Sequence, residues 1–112
     1  ARLIETVEWV DKGIVIAKGN DDVAYGSVLI AQTADILLTM QDVTASFVIA
    51  PRADGKIGIS ARSLGEINVQ LVMEALGGGG HLTNAACQLE AETVEEAVEQ
   101  LKSVLHDQLE RG

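Results

Sequence analysis

One cysteine, one proline and three aromatic residues stand among the 112 residues of this chain, and each shortage narrows what it can be. Lone Cys87 cannot close an internal disulfide, so nothing marks an oxidising compartment. With so few aromatics and 47% hydrophobic residues, the core is expected to consist of Val, Ile, Leu and Ala, which suits a mixed α and β domain. The scarcity of Pro and Ser argues against a disordered segment. Basic residues are short too: 8 Lys and Arg face 17 Asp and Glu, for a net charge of −9. That balance argues against non-specific binding to a nucleic-acid backbone, which rests on clustered Lys and Arg. It leaves room for one local pocket that opposes the overall field. The 112 residues carry no signal-peptide pattern and no long hydrophobic run. The longest apolar stretch, Val28 to Met40, is interrupted by Gln32, Thr33 and Asp35 and is too short to span a bilayer. The length fits one domain with a core of its own. A chain opening on Ala1 without an initiator Met reads as an excised piece of a larger protein.

The order of elements follows from the spacing of apolar residues and breakers. Leu3 to Val10 and Ile14 to Lys18 are β-prone runs joined by Asp11-Lys12-Gly13, a hairpin signal. Asn20, Asp21 and Asp22 precede an apolar-periodic segment and offer an N-cap for a helix from about Asp22 to Thr39, with Ala24, Val28, Ala31 and Leu38 on one face. Thr44 to Ala50 reads as a strand that Pro51 stops, and Asp54-Gly55 turns the chain into a return strand from Lys56 to Arg62. Asn68 can cap a helix whose Val69, Val72, Met73 and Leu76 share a face. A strand from about Leu82 to Glu90 follows, with Thr83, Ala85, Cys87 and Leu89 together. Thr93 to Glu96 is a capping box opening a last helix, buried through Val94, Ala97, Val98, Leu101, Val104, Leu105 and Leu109. The expected fold is α/β (α+β): a single domain with about five strands in a mixed sheet, about three helices, and the order β-β-α-β-β-α-β-α. Trp9 is core or edge, Met73 and Cys87 are core, and His106 lies at the surface.

Chemistry concentrates at Gly77-Gly78-Gly79-Gly80-His81. Four consecutive glycines free a stretch of backbone N–H groups to turn toward a ligand, and an imidazole at its end adds a donor near neutral pH. The competing reading is a helix C-cap, but one glycine satisfies a cap and three more need another reason. Strand alternation sets Ser60 and Arg62 side by side, with Gly58 leaving room beside them, and a guanidinium with a hydroxyl suits an oxyanion. An ordinary polar sheet face fits the same pattern. The run is no Walker loop, since no Lys-Ser or Lys-Thr follows, and no dinucleotide fingerprint, since it ends a helix. One Cys and two distant His do not make a zinc site, and no Asp/His cluster offers a two-metal centre. Nucleophilic catalysis lacks a convincing set, although Ser60 and His81 could approach each other. The residues supply phosphate recognition and no machinery for cleavage.

The stretch Ile57 to Leu89, with ISARSLGEINVQ followed by MEALGGGGHLTNAACQL, resembles the substrate-binding domain that follows the DHH domain in DHH phosphoesterases. It is most similar to that of the GdpP/YybT-type cyclic di-AMP phosphodiesterases. The resemblance implies that residues 1–112 are a DHH-associated substrate-binding domain, a fragment without its DHH domain and inactive alone. Two manganese ions are expected in that missing domain, and no metal or cofactor in this chain. Substrate binding is implied for Ser60, Arg62, Gly77, Gly78, Gly79, Gly80 and His81, with Thr83 and Asn84 adding contacts, and no catalytic residue. Implied partners are a cyclic or linear dinucleotide, the DHH domain of the same chain and a second copy in a homodimer. The fragment itself would not touch the membrane, while its parent would be anchored there with this domain on the cytoplasmic face. Two alternatives remain. One is the substrate domain of a RecJ-like or nano-RNA-degrading phosphoesterase. The other is a non-catalytic RNA-binding or dimerisation module, of the kind attached to alanyl-tRNA synthetases.

Overall fold

Six strands and three helices are built from these patterns in the computed structural model, which describes residues 2–111. The strands are β1 (Glu8–Asp11), β2 (Ile14–Lys18), β3 (Ala45–Pro51), β4 (Ile57–Ser63), β5 (Gly79–His81) and β6 (Asn84–Leu89). The helices are α1 (Ser27–Leu38), α2 (Val69–Ala75) and α3 (Val94–Arg111). They form one mixed sheet in the order β1-β2-β3-β4-β6-β5, in which β2 and β3 are parallel and every other pair is antiparallel. α1 makes the crossover between the parallel strands, as a parallel connection demands.

The sheet is covered unequally on its two faces. Ile16, Phe47, Ile49, Ile59, Ala85 and Cys87 point to the face sealed by α2 and α3, whose Val72, Met73, Val98 and Leu101 are fully buried against them. The other face carries Val15, Ala17, Val48 and Ala50, and meets Ile30, Ala34 and Leu37 of α1. The Ser46 hydroxyl fastens α1 to β3 by donating to the Ala34 carbonyl at 2.8 Å. α1 sits over β3 and β4 on that face, leaving β6 beyond its edge. On β6, Asn84, Ala86 and Gln88 therefore remain exposed while their alternate neighbours are buried.

Four expectations need correcting. The sheet has six strands because Gly79–His81 pairs with β6 through the two-residue turn Leu82-Thr83, so the glycine run is partly strand and β6 begins at Asn84. The first strand starts at Glu8, since Leu3–Thr6 winds into a 3-10 turn held by the Thr6 hydroxyl on the Leu3 carbonyl, with Leu3 packed in the α1 layer. α1 starts at Ser27 behind Gly26, because Gly19 and Tyr25 donate to the Ile49 and Pro51 carbonyls and pin the preceding segment, which turns at Asp21–Asp22, to the end of β3. Asp21 accordingly caps a different helix: its carboxylate accepts from the Val94 N–H of α3 at 2.7 Å. The buried stripe of α1 is Ile30, Thr33, Ala34 and Leu37, whereas Val28 is 66% exposed. A helix apolar on several sides carries no single period to read. Trp9 lies on the edge strand and is 53% exposed, and Met73, Cys87 and His106 sit as expected.

Candidate functional site

β4 and β6, at the edge of α1, form the floor of a groove of about 740 Å³, walled on one side by Ser27, Ile30 and Ala31 of α1. Residues directly opposite in an antiparallel pair share a face. The register therefore sets His81, Asn84, Arg62 and Ser46 in one row across four strands, and Gly79, Ala86, Ser60 and Val48 in the next. Ser60, Arg62, Gly77, Gly78 and Asn84 line the groove. Gly79, Gly80 and His81 on β5 are not among the lining residues: Gly79 and His81 share the sheet face of the groove beyond β6, and Gly80 pairs with Ala85 on the opposite face. Thr83 stands apart in the β5–β6 turn, where its carbonyl accepts from the Ser63 N–H at 3.0 Å and its side chain is not among the lining groups.

Arg62 is held ready rather than left loose. Its side chain is 11% exposed, its Nε donates to Asp35 Oδ1 at 2.6 Å, and its Nη1 donates to the Ala61 carbonyl at 3.0 Å. Those bonds use two of the five N–H donors of the guanidinium, leaving three without a partner among the described residues. Ser60 is 8% exposed, and no group among the described residues bonds its hydroxyl, which lines the groove. No side-chain polar atom among the described residues is both buried and unpartnered, so this hydroxyl opens to the groove and is free to bond a ligand there. Ser60 and His81 lie two strands apart in adjacent rows, about 12 Å between Cα atoms at roughly 4.8 Å per strand and 3.3 Å per residue, which is too far for a nucleophile and base pair.

The four glycines divide by the demand on each. Gly77 takes a φ of +88° as the residue after the cap of α2. Its N–H donates to the Glu74 carbonyl and that of Gly78 to the Met73 carbonyl, closing a Schellman motif. A Cβ at Gly78 would stand 2.7 Å from Cys87 Cα, and one at Gly80 2.5 Å from Ala85 Cα, so both positions let β5 and its lead-in press against β6. Gly79 has neither constraint. Nothing lies within 4 Å of the place its Cβ would take, on the face it shares with Ser60.

Sequence reasoning missed three groove residues and one clamp. Arg52, Lys56 and Gln88 line the far end, and Asp35 holds Arg62. The room attributed to Gly58 is taken by the stem of Arg52, whose Cδ would lie 3.0 Å from a Cβ there. Among the described residues, no three His, Cys, Asp or Glu side chains are grouped to hold a metal, and no helix is long and apolar enough to cross a membrane. The groove offers cations, hydroxyl and amide donors instead, which suits an anion and not a hard divalent ion.

The family model described as the DHHA1 domain matches residues 12–107. The chain is 59% identical to "Cyclic-di-AMP phosphodiesterase GdpP" of Geobacillus thermodenitrificans (strain NG80-2), over all of this chain and 17% of that protein. It is 55% identical to "Cyclic-di-AMP phosphodiesterase PdeA" of Listeria monocytogenes serotype 1/2a (strain 10403S), over 94% of this chain and 16% of that protein. It thus spans about a sixth of the curated relatives it matches. In fold it is similar to an exopolyphosphatase-related protein from Bacteroides fragilis, with a TM-score of 0.80 and 21% identity over 94% of this chain and 32% of that one.

Proposed function

The chain belongs to the DHHA1 domain family, and on that premise we propose that it is the substrate-recognition domain of a cyclic di-AMP phosphodiesterase. The supporting observation is the groove itself: Arg62, Asn84 and His81 in one row, with the unpartnered Ser60 hydroxyl and the unobstructed Gly79 in the next. Arg62 with its three spare donors takes the phosphate, assisted by Ser60. Asn84 and His81 bond the nucleotide near β5, and within the run Gly77 to Gly80 it is Gly79 that lets it approach the backbone while the other three shape the turn and strand that carry it. Thr83 contributes from the turn above. This chain binds and orients, and a DHH domain elsewhere in the parent protein would hold two manganese ions and supply the hydrolytic chemistry. The 112 residues alone then give no manganese-dependent hydrolysis. Identity of 59% and 55% to two proteins named as cyclic di-AMP phosphodiesterases, along nearly the whole chain, supports this substrate over longer RNA.

The same reading makes residues 1–112 a fragment of a parent that is anchored in the membrane and carries this domain on the cytoplasmic face. It also allows that parent to work as a homodimer, with the DHH domain as the groove's covering partner.

Kinetics of the parent protein test the proposal. Each charge-assisted hydrogen bond is worth about 1.5–3 kcal/mol, so Arg62→Ala is expected to lower kcat/KM for cyclic di-AMP roughly 10- to 100-fold, and His81→Ala by a smaller factor. Retained activity in both variants, with unchanged dinucleotide affinity, removes these residues from the site.

A further inference from the structure

Both arginines of the groove are tied to an aspartate that lies outside it. Arg52 donates from Nε and Nη2 to Asp54 at 3.2 to 3.3 Å, and Arg62 donates from Nε to Asp35 at 2.6 Å. Neither aspartate is among the residues lining the groove. The Arg52 pair joins neighbours in one turn. The Arg62 pair spans 27 residues, from strand to helix, and the local chain does not dictate it.

Asp35 is held where Arg62 is its partner. It is the one charged residue of α1, and it makes no other hydrogen bond among the described residues through its side chain. The residue before it, Ala34, is fully buried, and its carbonyl accepts from the Ser46 hydroxyl at 2.8 Å. Ser46 is the cross-strand partner of Arg62. The helix is thus pinned to the sheet one residue before the carboxylate and one strand away from the guanidinium.

This anchoring acts on Arg62 in two ways. The first is orientation. A free arginine side chain samples many rotamers, whereas bonds from Nε to Asp35 and from Nη1 to the Ala61 carbonyl fix the guanidinium plane and leave the spare donors on Nη1 and Nη2. The second is charge. With a carboxylate at Nε, a ligand meets hydrogen-bond donors backed by a pair of no net charge. Lys56, the other basic residue of the groove, lies six residues before Arg62, about 20 Å along extended chain at roughly 3.3 Å per residue. A second negative charge on a phosphate therefore gains little at Arg62, and it is repelled by Asp35 and by a domain of net charge −9. A singly charged phosphodiester keeps the charge-assisted hydrogen bonds and avoids most of that repulsion.

We propose that Asp35 is a positioning and specificity-determining residue: it fixes Arg62 with Nη1 and Nη2 toward the groove and offsets its charge, so that singly charged phosphodiesters bind at no disadvantage to doubly charged phosphate monoesters. The inference rests on the reading of Arg62 given above and adds to it the ligand charge that the site selects. Mononucleotides and free phosphate, which carry most of a second charge near neutral pH, then do not displace a diester from the groove.

Amide NMR titration of the isotope-labelled chain at pH 8 tests this, with adenosine 5′-monophosphate and its methyl ester as probes. The two differ by one charge at the phosphate and in little else. In the unmodified chain their affinities are expected to agree within about twofold, less than the full range of one exposed charge interaction. Asp35→Asn preserves the shape of a side chain that is 60% exposed, and an oxygen for Arg62 Nε, while removing the charge. It should favour the doubly charged probe by a further factor of about two to five. The Arg62 Nε–H resonance should persist in Asp35→Asn and be lost to solvent exchange in Asp35→Ala, where both probes bind about threefold more weakly than in Asp35→Asn. A preference of about tenfold for the monophosphate in the unmodified chain, or an Asp35→Asn variant in which both probes move equally, overturns the selection while the groove reading stands. An Asp35→Ala variant that keeps the Arg62 resonance and the affinities of Asp35→Asn overturns the positioning role. If neither probe shifts residues 58–62 and 84, or Arg62→Ala leaves both affinities unchanged, the groove reading falls and takes the role of Asp35 with it.

Discussion

Alanine placed at each of two adjacent glycines separates what the fold requires from what a ligand requires. At Gly78 the new Cβ would lie 2.7 Å from Cys87 Cα and closer still to the Ala86 carbonyl oxygen. Both are backbone atoms of a paired strand and cannot step aside, so β5 must move away from β6. Overpacking of this kind costs about 1–3 kcal/mol, and a clash with main chain belongs at the upper end. For a domain of this size that is a fall in Tm of roughly 10 °C. At Gly79 the added methyl meets nothing within 4 Å, and the residue's φ lies outside the left-handed region. Restricting the unfolded chain there should raise stability by about 0.4–1 kcal/mol. The same methyl stands in the row of Ser60, so Gly79→Ala should weaken dinucleotide binding while the domain grows no less stable. Urea unfolding of the two variants beside the unmodified chain reads the stability difference, and titration reads the second effect. A Gly79→Ala variant as unstable as Gly78→Ala, or a Gly78→Ala variant as stable as the parent, refutes the division of the glycine run.

Two further outcomes follow from single contacts. Asp21→Ala should cost about 1 kcal/mol by uncapping α3 at Val94, and Asp21→Asn should recover most of it, whereas an unchanged urea midpoint would show that Thr93, which accepts from the Glu96 N–H, suffices alone. Burial pushes the Cys87 thiol up from 9.0 to about 12. The folded state thus holds that proton more tightly than the unfolded state. The stability linked to it is intact below about pH 9 and lost as pH rises toward 12. Unfolding free energy measured from pH 8 to pH 10.5 should decline more steeply in the unmodified chain than in Cys87→Ala. Parallel slopes would contradict the burial argument.

Local signals were legible where one residue type has one physical job. Asp54-Gly55 turned β3 into β4, with Gly55 at a φ of +85°, and Asn68 capped α2 by accepting from the Leu71 N–H. Strand alternation in β4 and β6 was read correctly for the same reason, since a period of two leaves no ambiguity about faces. What failed was contact between distant parts of the chain. Asp21 sits immediately before a helix and looks like its cap, yet the bond it makes is 73 residues away. Nothing in its neighbours records that the end of β3 pulls Tyr25 out of helical geometry through the Pro51 carbonyl. The strand at Gly79–His81 was hidden likewise, because glycine has low strand propensity and pairing alone makes it a strand.

The site was half visible for a related reason. Residue type pointed to Ser60, Arg62 and the glycine run, and the register supplied the missing relation, setting His81, Asn84 and Arg62 on three strands in one row. Sequence could not show that β6 enters between β4 and β5, and that insertion keeps Ser60 and His81 from acting as nucleophile and base. It also could not show that Gly58 serves Arg52. A glycine beside a serine and an arginine looks like clearance for a ligand, but here it lets a side chain from the neighbouring turn lie across the sheet. The consequence reaches function. Once Gly58 is occupied and Gly77, Gly78 and Gly80 answer to the fold, the one glycine near the groove with no structural duty is Gly79. The ligand's closest approach to the backbone must therefore be sought there, between His81 and the hydroxyl of Ser60.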